Sequence, residues 1–255
     1  QKNNECFHKD SGRRIPVIMP VHVLGNMCDM DRLTLLSTKH NLIIIEDSTE
    51  ALGSYYKSKH AGSFGLLGTF SYNGNKIITT GGGGMIVTDD EGLAKRAKHL
   101  TTQAKSDPFE YFHDEIGYNY RLVNVAAAMG VAQMEQLPSF LKRKKEIIEY
   151  YKNGLKNIGD ITFQKVRDDV NPNWWMPTIS STKQKQILDA LNNDKLQSRP
   201  FWVPMNKLPM FKDNIYFQQK DQSDFLYNHC LSIPCSTYIS NEEMDRVIEK
   251  IKSVF

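Results

Sequence analysis

IPVIMPVHVLGNMCDMDRLTLLSTKHNLIIIED, residues 15–47, decides the fold class. Its opening, Ile15 to Leu24, is apolar and rich in β-branched residues, as a buried strand requires. Met30, Leu33 and Leu36 then recur at helical spacing before Asn41, and a second apolar run ends in the acids Glu46 and Asp47. Strand, helix and strand with short connections predict a parallel βαβ unit. Working outward, GTFSYN (68–73) and MIVTD (85–89) predict two more short strands and EGLAKRAKHL (91–100) a helix. The expected class is α/β, with a mostly parallel central sheet.

A second helical block starts near Leu122 and gives way at Pro138 to SFLKRKKEIIEYYKNGL, residues 139–155. The expected boundary lies there, with 1–137 as part of a large domain and 138–255 as a smaller α+β domain. Phe140, Leu141, Ile147, Ile148, Tyr151 and Leu155 follow helical spacing, so the run KRKK (142–145) reads as a solvated face. Near the C-terminus, Ser240-Asn241-Glu242-Glu243 reads as a capping box that starts a helix burying Met244, Val247, Ile248 and Ile251.

A chain of 255 residues with 40% apolar content can build a sizeable core. Its 32 basic and 29 acidic residues leave a formal charge of +3, which gives no electrostatic footprint for nucleic acid or an anionic membrane. Cys6, Cys28, Cys230 and Cys235 form no CxxC pair, which argues against a disulfide scaffold and a zinc ribbon and favours a reducing cytoplasm; no metal is expected. No apolar run approaches a bilayer span, and the first residues lack a signal-peptide core. Because residue 1 is Gln, a fragment or processed product is expected.

The chemistry concentrates in SYNGNKIITTGGGG, residues 71–84, where Lys76 stands between a polar and aromatic run and four glycines. A P-loop is excluded, because Asn75 separates Gly74 from Lys76 and Ile77 follows it. A dinucleotide fingerprint is excluded as well, since its third glycine would fall on Ile86. In α/β sheets ligands gather at the carboxyl ends of parallel strands, where Glu46 and Asp47 lie. Pyridoxal phosphate requires this set: an amine to condense with its aldehyde, a carboxylate for its ring nitrogen, and hydroxyl and backbone N–H groups for its phosphate.

The blocks EDSTEALGSYYKSKHAGSFGLLGTFSYNGNKIITTGGGGMIVTDD (46–90) and HDEIGYNYRLVNVAAAMGVAQMEQL (113–137) resemble the DegT/StrS-type nucleotide-sugar aminotransferases. The resemblance covers nearly the whole chain. It implies a dimeric type I aminotransferase-like fold dependent on pyridoxal phosphate, with a large cofactor domain represented in part by 1–137. TGGGGM, GYNYR and RPFWVPMNKLPMF (199–211) are similar to the branch that aminates C4 of nucleotide-linked 4-keto-6-deoxy sugars, especially N-acetylated hexosamines, with glutamate as the expected donor.

The resemblance places Lys76 at the catalytic attachment position and has it carry the proton to the sugar C4. It places Asp47 at the pyridinium, Ser71 at the phosphate, and Asn119 at the phosphate of the neighbouring subunit's site. Glu50 stands beside the cofactor where relatives carry Gln or His, and two roles remain open for it: favouring a protonated ring oxygen, or contacting the substrate amine. His22, Trp202 and Asn206 are candidate substrate residues. For His22 a packed, satisfied core histidine is the competing reading. Trp174 and Trp175 read as core or interface, and glycines 81–84 as backbone geometry. Asn206 replaces a histidine of many relatives, and Leu66 a common Asp. Relatives also carry a further third of a chain ahead of IPVIMPVHV, including a phosphate-clasping turn, so this chain alone is expected to hold the cofactor weakly and to associate. The competing function is a non-catalytic remnant acting as a dimeric scaffold. The related sugar dehydratases are disfavoured, because they lack the attachment lysine and Lys76 is present.

Overall fold

The computed structural model of the protein describes residues 5–107 and 109–255. The chain divides into two compact units: Gln1–Leu141 with Val166–Trp175, and Lys142–Lys165 with Met176–Phe255.

The first unit is built on the βαβ sequence. Strand β1 (Val17–Ile18), helix α1 (Met30–His40) and strand β2 (Ile43–Asp47) are followed by β3 (Leu67–Ser71) and β4 (Gly84–Val87). The sheet order is β1-β2-β3-β4, with the first three strands parallel and β4 antiparallel to β3. The expected strand over Ile15–Leu24 is shorter than its apolar run, reduced to Val17–Ile18 and a single bridge between Val21 and Asp47. Pro16 and Pro20 bring no N–H to the ladder, which accounts for the interruption. Asp29 caps α1 by accepting the Arg32 N–H, and Asn41 ends it in the left-handed conformation at φ 48°. Helix α2 (Glu91–Thr101) is capped in the same way by Asp90. Met30 is buried in a core with Ile44, Ala51, Tyr56 and Val170, whereas Leu35 and Leu36 of α1 remain exposed. Val170 arrives through the strand Val170–Asn171, which pairs with Tyr55–Tyr56.

Helix α3 (Asn124–Gly154) runs without a break through Pro138, the expected boundary. Its residues up to Leu141 belong to the first unit and the rest to the second. The second unit carries a four-stranded antiparallel sheet that includes β5 (Thr178–Ser180) and β6 (Cys230–Ser232), together with helices α4 (Gln184–Asn193) and α5 (Asn241–Lys252). The capping box of α5 is present: Ser240 Oγ accepts the Glu243 N–H and Glu243 accepts the Ser240 N–H. Met244, Val247, Ile248 and Ile251 are all buried. The basic run corrects the sequence reading in part. Lys142 and Lys145 are exposed, but Lys144 is buried on the side of α3 that carries Ile147 and Ile148, and its Nζ donates to the Cys235 carbonyl at 2.6 Å.

Glu46 is the polar centre of the first unit. It is fully buried on β2 and accepts four hydrogen bonds: from His22 Nε2 at 3.0 Å, and from the N–H groups of Gly62 (2.9 Å), Phe64 (2.6 Å) and Gly65 (2.7 Å). The loop can come this close because of its glycines. Gly62 has φ +82°, and a Cβ on Gly65 would lie 2.4 Å from the Ile44 carbonyl oxygen. Burial alone would raise the Glu46 carboxyl, but His22 and the three N–H groups outweigh it and hold the group below the ordinary carboxylate range. Its stabilisation is therefore complete above the unfolded carboxylate value and is lost as pH falls through the depressed folded value. Glu46→Ala leaves four buried donors without an acceptor and should cost on the order of 3–5 kcal/mol at neutral pH, read as a fall in the urea midpoint. The difference from wild type should shrink in acid. Equal midpoints at neutral pH would contradict this role.

Candidate active site

The strand after the helix ends beside its partners' ends, and that fixes the first acid. The Asp47 N–H donates to the Pro20 carbonyl, the His22 N–H to the Asp47 carbonyl, and the Ser48 N–H to the Thr69 carbonyl. Asp47 is thus held between the chain before α1 and strand β3, half-buried, with Oδ1 accepting the Thr49 N–H at 3.2 Å. Three residues further on, Glu50 Oε2 accepts the Leu24 N–H at 2.6 Å.

Lys76 follows β3 on a turn in which its own N–H bonds the Asn73 carbonyl. Two bonds to the Tyr72 carbonyl, from Thr79 Oγ1 and the Thr80 N–H, close the segment around it. The Lys76 side chain is 14% exposed, its Nζ lying 3.9 Å from Glu50 Oε1 and 4.1 Å from the centre of the Trp175 ring. The Trp175 indole N–H donates to the carbonyl of Asn75, the neighbour of Lys76, at 2.6 Å. Thr49, Glu50, Leu52, Ser71, Lys76 and Trp175 line one small open pocket. Ser71 Oγ, at the end of β3, accepts the Asn73 N–H at 3.3 Å. The glycines play a backbone part: Gly83 accepts the Tyr72 N–H, and a Cβ on Gly84 would lie 2.3 Å from the Phe70 carbonyl oxygen.

Burial pushes the Lys76 amine down from the ordinary lysine range, while Glu50 and Asp47 pull it back up. Burial raises Glu50 as well, against the Leu24 N–H and Lys76, with Asp47 adding to the rise. A lysine lowered beside a carboxyl raised in the same pocket brings the two groups' titrations closer together, an arrangement found where amines react with carbonyls.

The other sequence candidates fall elsewhere. His22 is fully buried: Nδ1 accepts the Cys28 N–H at 3.2 Å, so Nε2 carries the proton given to Glu46. Both ring nitrogens are taken, and the expected substrate contact gives way to the packed, satisfied reading. Asn119 is exposed, bridged through its backbone to Thr102, and does not line the pocket. Trp202 and Asn206 belong to the second unit, Trp202 edge-on to Phe201 and Asn206 in the short turn Met205–Lys207. Trp175, expected in the core or an interface, is the residue that sequence reasoning missed, since it is buried yet places its ring against Lys76. His99, Asp114 and Glu115 cluster on the surface, where the Arg96 guanidinium already pairs with Glu115.

The pocket brings together an amine, a carboxylate and a hydroxyl, Lys76, Glu50 and Ser71, which are groups of the kind pyridoxal phosphate needs, whereas Asp47 lies at the neighbouring strand end and is not among the lining residues.

Comparison with known proteins identifies the family. Residues 12–252 match the DegT/DnrJ/EryC1/StrS aminotransferase family. GDP-perosamine synthase of Escherichia coli O157:H7 is 36% identical over 241 residues, covering 93% of this chain and 65% of that protein. A Helicobacter pylori protein described as UDP-4-amino-4,6-dideoxy-N-acetyl-beta-L-altrosamine transaminase is 26% identical over 257 residues, covering 98% of this chain and 68% of its own. Among solved structures, Helicobacter pylori PseC, an aminotransferase of pseudoaminic acid biosynthesis, superposes with a TM-score of 0.87 at 25% identity, covering 95% of this chain and 67% of that one. A Streptococcus pneumoniae protein solved in its PLP-form gives a TM-score of 0.82 at 25% identity, covering 94% and 68%. The fold is therefore that of type I aminotransferases. The chain spans 65% of the length of the first of these curated relatives.

Removing the Glu50 charge should move the titration of Lys76 to lower pH, because the burial that disfavours its charged form would then be opposed by one carboxylate fewer. In Glu50→Gln, the pH midpoint for acylation of Lys76, followed by peptide mass spectrometry, is expected below that of wild type. An unchanged midpoint would show that the two groups do not interact.

Proposed function

The chain belongs to the DegT/DnrJ/EryC1/StrS aminotransferase family, and from that premise we propose that the protein carrying it transfers an amino group onto C4 of a nucleotide-linked 4-keto-6-deoxy hexose. The observation that carries this reading is the half-buried Lys76 amine, set between Glu50 and Trp175 in a pocket shared with the Ser71 hydroxyl. Pyridoxal phosphate, on which the family depends, supplies an electron sink when bound. Lys76 would hold its aldehyde and then move the proton at the sugar C4. Asp47 would keep the ring nitrogen protonated, and Ser71 would take part of the phosphate. Glu50, which burial raises, would share a proton with the reacting amine.

The preferred substrate is an N-acetylated hexosamine and the preferred donor glutamate. The sugar and its N-acetylation are supported by the likeness of TGGGGM, GYNYR and RPFWVPMNKLPMF to that branch and by the N-acetylated sugar named for the Helicobacter pylori relative. We further propose a homodimer in which Asn119 serves the neighbouring subunit's phosphate site, in keeping with its exposure outside the Lys76 pocket. A reducing cytoplasm is in keeping with four cysteines that form no disulfide with one another. No helix among the described residues is long and apolar enough to cross a membrane.

Borohydride reduction of the cofactor-loaded protein, followed by peptide mapping, should find the pyridoxyl group on Lys76. An adduct on another lysine with Lys76 unmodified would end the assignment. Asp47→Ala should fold as wild type does while losing transamination, with cofactor affinity down about tenfold to a hundredfold, the value of a charge-assisted hydrogen bond. Full activity in Asp47→Ala would show that another acid serves the ring.

A further inference from the structure

We propose that Asn173 is a positioning residue that sets Glu50 and Trp175 on either side of the Lys76 amine. The proposal rests on Lys76 being the reactive amine, as argued above. Asn173 is 2% exposed and stands just beyond the strand Val170–Asn171, on the segment that returns to the first unit from the second. Every polar group of its side chain is engaged. Nδ2 donates to the Glu50 carbonyl at 2.8 Å and to the Leu52 carbonyl at 2.9 Å, and Oδ1 accepts the Trp175 N–H at 2.9 Å. Its own N–H donates to Ser54 Oγ at 3.0 Å, which in turn donates to the Gly25 carbonyl at 2.7 Å.

What matters is which groups these bonds hold. One arm holds the backbone of Glu50, whose side chain is held separately by the Leu24 N–H. The other arm spans two residues and closes an Asx-type turn across Trp174, whose φ of +53° is a left-handed conformation unfavourable for a residue with a Cβ. That turn aims Trp175, whose ring faces Lys76 Nζ and whose indole N–H fixes the carbonyl of Asn75. The fit leaves no slack on the Gly25 side, where a Cβ would lie 1.9 Å from Asn173 Oδ1. A single amide therefore ties together both neighbours of an amine nearly a hundred residues away. The backbone of Glu50 that this amide holds carries the carboxylate lying 3.9 Å from Lys76 Nζ.

Trace labelling of lysines with acetic anhydride, quantified by peptide mass spectrometry without pyridoxal phosphate, tests this directly. In wild type Lys76 should label slowly compared with exposed Lys95. In Asn173→Ala, Lys76 should label several-fold faster, with half-buried Lys105 of the same unit unchanged and circular dichroism as in wild type. Asn173→Asp keeps the acceptor for Trp175 but sets a carboxylate against two carbonyls, and should give a smaller rise confined to Lys76. A wild-type rate at Lys76 in folded Asn173→Ala overturns the proposal. So does a matching rise at Lys105, which would mark general loosening. If Asn173→Ala does not fold, Asn173→Asp decides by the same criteria, and unfolding of both variants would make Asn173 a residue of the fold and end the positioning role. With no cofactor in the assay, failure of Lys76 to take pyridoxal phosphate and failure of Asn173 to position its neighbours are separate results.

Discussion

The buried carboxylate of Glu46 is the constraint from which the first unit is organised. A charge taken out of water is tolerated only with full compensation, and here that comes from one imidazole and three backbone N–H groups. Meeting that demand brings the segment around His22 to one side of β2 and the glycine-containing loop to the other. The chain following Glu46 then has little freedom. Asp47 is locked between two neighbouring backbones, and Glu50 lands three residues later with its carboxylate on the Leu24 N–H. The candidate site is built on the end of a strand whose interior acid has been spent on structure.

Around Lys76 the electrostatics pull in opposite directions. Burial favours the neutral amine, which is the form that attacks a carbonyl, while Glu50 and Asp47 favour the ammonium. The Trp175 ring offers a further contact to the charged form at its face. Such opposed influences suit the role proposed for Lys76, in which one amine both condenses and carries a proton.

Much of this was legible in the sequence for physical reasons. Parallel βαβ units advertise themselves through period and turn chemistry, and the capping box at Ser240 is local by nature. Lys76 stood out by its place between a strand end and a glycine loop, whereas Glu50, which shares its pocket, was named only through the family resemblance. What escaped was tertiary. Glu46 and Asp47 are adjacent acids, and alternation along a strand says that they face opposite ways without saying which faces the core. Trp175 and Asn173 act on Lys76 across a hundred residues of chain, and nothing in WW or NPN announces it. Lys144 was hidden in a charge run, although its helical phase with Ile147 and Ile148 placed it inward. The amphipathic pattern of α1 marked Leu36 as a buried position, yet it is exposed, since periodicity names a face and not its cover.

The central claim, that Lys76 is the amine around which this site is built, is tested most directly by titrating pyridoxal phosphate into the protein and following visible absorbance in wild type and Lys76→Ala. Wild type should show a saturable band of one equivalent per chain and Lys76→Ala none, with both proteins equally folded. A saturable band of equal amplitude in Lys76→Ala would contradict it.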